Sequence, residues 1–154
     1  MSSAPGSEEE VRRLLAAYQQ YQAQADGVMQ QLNLTQITAD GLERALVAIE
    51  ALEKSQVGQE ILVPIGSGSF IHGSIASKEK VVLNVGAGVS IEKTADKAKD
   101  ILKVRKAEVL EGSKKLNEVL AKIDQEMQKV QAIMQQFEES AHKHQHGPGS
   151  EGVV

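Results

Sequence analysis

Residues 60 to 94 read EILVPIGSGSFIHGSIASKEKVVLNVGAGVSIEKT, and the reading of this stretch decides the fold. It is the only part of the chain rich in both β-branched residues and glycine, and it lies between two long segments with helical periodicity. At period two its odd positions are mostly apolar: Ile61, Val63 and Ile65, then Ile71 and Ile75, then Val81, Leu83 and Val85, then Val89 and Ile91. Alternation of this kind sets one row of side chains on one face of a sheet. Gly66-Ser67-Gly68, Ser77-Lys78-Glu79 and Gly86-Ala87-Gly88 interrupt the pattern, each short enough to join antiparallel strands. The expectation is four short strands in two β-hairpins that form one small sheet, with His72 on its even, more polar face. A hairpin alone is marginal in water. The sheet is therefore expected to bury its odd face against copies or relatives of itself, with Pro64 and Lys80 blunting its edges.

Outward from the hairpins, both flanks carry heptads. On the amino-terminal side one seam position holds Val11, Tyr18, Ala25, Leu32, Ala39 and Leu46, and the other Leu14, Tyr21, Val28, Thr35, Leu42 and Ile49. A stripe this narrow, with Gln, Glu and Arg elsewhere, is a coiled-coil seam. The helix is expected over 8–58. Ser7 and Glu10 would form a capping box at its start, and Gly58 would cap its end. Asp40-Gly41 interrupts the pattern at a cost of about 1 kcal/mol of helix propensity.

On the carboxyl side, Thr94 can cap a second helix over 94–141. Its seam holds Ala95, Leu102, Val109, Leu116, Ile123, Val130 and Phe137 in one position. The companion position runs Lys99, Lys106 and Ser113 before it becomes apolar at Leu120, Met127 and Met134. The half nearest the hairpins thus has a poor seam. The two helices are nearly equal in length, so a chain that turns round at the hairpins lays them antiparallel. Residues 1–7 and 142–154 read as disordered ends.

Composition narrows the function classes. The chain has 154 residues, a formal net charge of −4, no Cys, no Trp and only 3% aromatic residues. Without Cys there are no disulfides and no thiolate metal sites. No basic cluster points to nucleic acid, and no apolar run approaches a membrane span. The start carries no secretion signal, so a cytoplasmic location is the default expectation. Gly66, Gly68, Gly86 and Gly88 read as turn glycines, because neither cluster has the lysine and hydroxyl residue of a phosphate loop. His142, His144 and His146 alternate in a glycine-flanked tail with no preformed geometry, and no metal site is assigned to them. No nucleophile, base and acid stand in a catalytic arrangement, and no cofactor is implied.

The hairpin residues also carry a resemblance. Val63-Pro64-Ile65-Gly66-Ser67-Gly68-Ser69-Phe70, then Val82-Leu83-Asn84-Val85-Gly86-Ala87-Gly88-Val89 and Ile91-Glu92-Lys93-Thr94, resemble the hairpin region of the archaeal prefoldin alpha subunit. The similarity runs in order from about Glu8 to Ala141, and two hairpins between equal helical arms are its specific part. The resemblance implies a hexamer of two such chains with four beta subunits, whose hairpins build an intersubunit β-barrel. It also implies an ATP-independent chaperone that holds unfolded proteins at the coiled-coil tips and passes them to a group II chaperonin.

Two surfaces follow as candidates. Ile61, Val63, Ile65, Phe70, Ile71, Ile75, Val81, Leu83, Val85, Val89 and Ile91 are expected to serve oligomerisation. Near the far ends of the helices, Leu14, Leu15, Tyr18 and Tyr21 are expected to lie against Met127, Val130, Ile133, Met134 and Phe137 and to form the client site. Leu15 and Ile133 lie beside the strict seam and are surplus to a two-helix contact, and Met suits varied partners. The competing class is a coiled-coil scaffold or adaptor that oligomerises through its hairpins and docks folded partners.

Overall fold

A computed structural model describes residues 8 to 145 of the chain. The expectations for Ser7, for residues 1 to 6 and for the tail from His146 onward lie outside the described residues. The element order is α1 (Glu8–Lys54), β1 (Glu60–Gly66), β2 (Ser69–Ser74), β3 (Lys80–Gly86), β4 (Val89–Thr94) and α2 (Ala95–Gln145). The chain divides into two compact units. One, the hairpin unit, is Leu34–Ser113; the other, the terminal unit, combines the segments before and after it.

In the hairpin unit α1 runs unbroken through Asp40-Gly41, where the Gln36 side-chain amide donates to Asp40 Oδ1 at 2.9 Å. It ends at Lys54, not at Gly58. The Ser55 N–H already donates to the Leu52 carbonyl at 3.1 Å, so no glycine cap is needed there. Gly58 uses its positive φ of 87° to turn the chain into the first hairpin, and its N–H donates to the Ile75 carbonyl at 2.8 Å.

The four strands do not form the expected single sheet. β1 pairs with β2 and β3 with β4, as two separate two-stranded antiparallel sheets. Each ladder is closed at its own base, by Ile75 N–H to Gln59 O at 3.0 Å in the first hairpin and Ala95 N–H to Glu79 O at 2.9 Å in the second. The two hairpins share one backbone plan at a constant offset of twenty residues, from Gly66 to Gly86 and from Gly68 to Gly88. The φ angles at the first turn are 107°, 50° and 72° for Gly66, Ser67 and Gly68; at the second they are 108°, 51° and 73° for Gly86, Ala87 and Gly88. Positive φ at both central residues is the signature of a type I′ hairpin turn. Both ladders also slip just before the turn, between Pro64 and Gly66 and between Asn84 and Gly86. Ile65 and Val85 are therefore extra residues in a bulge, and the odd-position alternation stops there.

β3–β4 lays its odd face on the helices. Leu83 joins Leu46 and Ile49 of α1 and Ala95, Ala98 and Leu102 of α2 in one buried cluster, with Val81, Ile91 and Ile101 packed against it. Ala98 is 0% exposed and lies outside the seam read from the heptads, because the hairpin widens the packed face of α2 here. An Ala98→Leu variant should lose about 1–3 kcal/mol of stability through overpacking, measurable by urea denaturation. α2 starts where β4 ends. Thr94 Oγ1 accepts the Lys97 N–H at 3.4 Å, the expected cap.

The terminal unit contains the start of α1 and the end of α2. Ala25, Ile123 and Val130 are buried, and Leu14, Tyr18, Tyr21, Val28, Leu116, Leu120, Met127, Met134 and Phe137 are half-buried, which is the seven-residue rhythm of a seam. The Gln131 side-chain amide donates to the Tyr18 hydroxyl at 3.1 Å across the pair. α2 continues past the expected end at Ala141 to Gln145.

Candidate functional site

The poor half of the α2 seam is closed by charge. Lys99 Nζ lies 2.8 Å from Glu53 Oε2 and 3.5 Å from Asp96 Oδ1, and Lys106 pairs with Glu43 of α1. Lysine stems can cover the apolar layer beneath while their ammonium groups reach the neighbouring helix. The hydrogen bond that Lys99 donates to Glu53 is the main cause that raises the Lys99 pKa above its ordinary 10.5, with desolvation opposing and the Glu53 and Asp96 charges adding. A raised folded-state pKa means that the stabilisation is complete below 10.5 and is lost as pH rises through the folded value. Thermal melts should therefore fall in midpoint above that pH, and Lys99→Met should lose less over the same interval than the parent chain. An identical fall in both would remove Lys99 as a source. Arg105 Nη1 adds a bond to the Asn84 carbonyl at 2.9 Å and so ties α2 to β3.

The residues assigned to oligomerisation separate into two groups. Val81, Leu83 and Ile91 pack against the chain's own helices, and Ile75 is buried. The other group is open. Every residue of β1 is exposed, and Val63 and Ile71 on the odd face are 37% and 50% exposed although they are cross-strand partners. Ile61, Ile65, Phe70, Val85 and Val89 are exposed as well. Gly73 sits opposite Ile61, and a Cβ there would meet Val63 Cγ2 at 3.3 Å, so the glycine leaves the aliphatic pair room.

Phe70 is not on the odd face. It pairs with Pro64, and His72 pairs with Leu62, so the even face of β1–β2 mixes these apolar residues with His72, Glu60 and Ser74. Leu62, Pro64 and Phe70 thus form an exposed apolar group on that face. The alternation test missed this because it scored the odd row and passed over Leu62, Pro64 and Phe70.

In the terminal unit the expected client residues are graded by exposure. Val130 is buried at 8%, so it belongs to the helix contact and is not available to a client in the folded chain. Leu15 at 48% and Ile133 at 40% are the open apolar residues of the set. The others are half-buried. Lys129, beside this row, has its pKa raised chiefly by the hydrogen bond with Glu126, with Tyr21 contributing. Sequence reasoning passed over Leu34 and Ile37 of the hairpin unit, which are 65% and 64% exposed at heptad positions outside the seam. Among the described residues no group of three His, Cys, Asp or Glu side chains could hold a metal ion, and no helix is long and apolar enough to cross a membrane.

Two long helices joined by two antiparallel hairpins define the fold class, and comparison with known proteins gives the family. The prefoldin subunit family model matches residues 21–139, and the chain belongs to that family. It is 52% identical over 118 residues to the prefoldin subunit alpha of Methanothrix thermoacetophila, covering 76% of this chain and 77% of the relative. It is 36% identical over 136 residues to that of Methanosarcina barkeri, covering 86% and 94%. The corresponding subunit of Pyrococcus horikoshii is 33% identical over 131 residues, covering 84% and 88%. A filamentous prefoldin of Methanocaldococcus jannaschii, solved by cryo-electron microscopy, has the same fold with a TM-score of 0.67 at 23% identity, over 76% of this chain and 97% of that one. Members of the family are non-enzymatic chaperone components that form oligomeric assemblies.

Proposed function

We propose that the chain is the alpha-type subunit of an ATP-independent holdase. Two copies join four beta-type subunits through the hairpins, and the terminal units hold unfolded proteins in the cytoplasm and release them to a group II chaperonin. The observation that carries the holding role is the pair Leu15 and Ile133, apolar and about half exposed beside a seam that otherwise closes. Folding of the helix pair leaves them free, so a client can bury them. Met127 and Met134 border the same row and can repack against varied side chains. The open odd face of β1–β2 supports the assembly role, because the chain's own helices cover only the odd face of β3–β4.

The test is a client-aggregation assay without nucleotide, run on the chain alone and with a beta-type partner, with mass followed by light scattering. A complex of hexameric mass that keeps a denatured protein in solution supports the reading. A complex of that mass that never delays aggregation returns the scaffold class.

A further inference from the structure

The base of the second hairpin carries cations that the fold does not use. Lys80 of β3, Glu92, Lys93 and Thr94 of β4 and Lys97 of α2 line an open recess of about 280 Å³. Glu92 lies 3.9 Å from Lys80 in a loose, exposed pair. Among the described residues Lys93 and Lys97 make no ion pair, whereas Lys99, two residues further on, is held by Glu53. The recess thus sets three lysines against one carboxylate, in a chain whose formal net charge is −4. Both unpaired lysines break a local rule. Lys97 is the third residue of α2, where the positive end of the helix dipole favours an acid and a capping box would place Glu or Gln. Lys93 is half-buried across from Val81, although lysine is seldom withdrawn from water without a partner. Its stem can follow the apolar layer while its ammonium group reaches the recess. The first hairpin offers a comparison on the same backbone plan: twenty residues earlier, Glu60 and Gly73 stand in the places of Lys80 and Lys93. The hairpin fold itself therefore asks for no lysine at either place.

We propose that this recess docks an acidic polypeptide segment of a protein that visits the assembled complex. It is a second binding surface, in the hairpin unit, and does not depend on the client reading above. Charge complementarity names the occupant. Three ammonium groups around one opening suit carboxylates presented by a flexible chain, which can settle against each in turn. A denser anion is less well served. Glu92 stands among the lysines, and the adjoining recess, which shares Thr94, is lined by Glu53, Glu79 and Asp96 beside Lys78. Nor does the recess hold an aromatic side chain on which a nucleic-acid base could stack. Docking through exposed charge alone is fast, weak and sensitive to salt.

The probe is fluorescein-labelled octaglutamate, titrated by anisotropy into the full chain alone and into its complex with a beta-type subunit. Binding is expected in both forms at low salt and should be lost at about 0.5 M salt. Lys93→Gln with Lys97→Gln should weaken it about fivefold. Lys114→Gln with Lys115→Gln removes the same charge from exposed positions elsewhere on α2 and should change it less than about twofold. Lys97→Gln alone should melt no lower than the parent, because it takes a cation out of the first turn, whereas a lysine kept for the fold would lower the midpoint when removed. The inference is overturned if the parent chain does not bind octaglutamate, if both double variants lose binding alike, or if Lys97→Gln lowers the melting midpoint. It is overturned as well if the complex fails to bind what the free chain binds, since a partner subunit then covers the recess. Absence of any complex by light scattering fails the assembly reading instead, and the free chain then decides this one.

Discussion

The double variant Val63→Asp, Ile71→Asp should keep its helices and lose its place in any larger assembly. The two side chains are cross-strand partners on the odd face of β1–β2 and are partly open in the single chain. In the isolated chain the carboxylates remain in water and cost little. Against a partner they would be desolvated without a counter-charge, a penalty of several kcal/mol for each ion. Like charges directly opposite one another on β1 and β2 also repel within the hairpin itself, at a modest cost of under about 1 kcal/mol that the free chain and the assembly share. Sedimentation should find the variant as a single chain in the presence of a beta-type partner, with the helical signal in circular dichroism unchanged. Assembly to the parent mass would show that the joint lies elsewhere.

Leu15→Ser with Ile133→Ser should have the opposite effect, a complete complex that holds clients poorly. Burying one such side chain from full exposure contributes about 1.5–3 kcal/mol, and roughly half of that remains to be gained at each of these two positions. Loss of about 2 kcal/mol on each alpha chain weakens client binding by more than tenfold. The readout is the amount of complex needed to suppress aggregation of a denatured protein without nucleotide. An unchanged requirement would remove these residues from the client surface. The same pair of changes at Leu34 and Ile37 provides a control for general loss of exposed apolar area.

The sequence made the helices and turns legible for local reasons. A heptad is a local repeat, and Gly66 and Gly86 mark positive φ whatever lies around them. Exposure of Leu15 and Ile133 followed from their place beside the seam. What could not be read depended on partners distant in sequence. Lys99 and Lys106 weakened the seam on paper, yet Glu53 and Glu43 meet them across the pair. Ala98 looked like filler until β3–β4 was laid over it. The same alternation in the two hairpins gave no sign that one odd face would be covered by the chain's own helices and the other left open. Which strands pair was also a non-local matter: the two expected hairpins form two ladders, each closed at its own base, and do not join into one sheet.

Two separate two-stranded sheets have a consequence for the cell that makes this chain. Each of the four strands pairs on one side only, so a copy without its partners carries four unpaired backbone edges, and such edges template pairing with any extended chain. An orphan copy is thus a hazard of the kind its assembled form is proposed to suppress. Balanced synthesis with its partner subunits would then matter as much as the stability of the fold, and an excess of this subunit should be found aggregated or degraded.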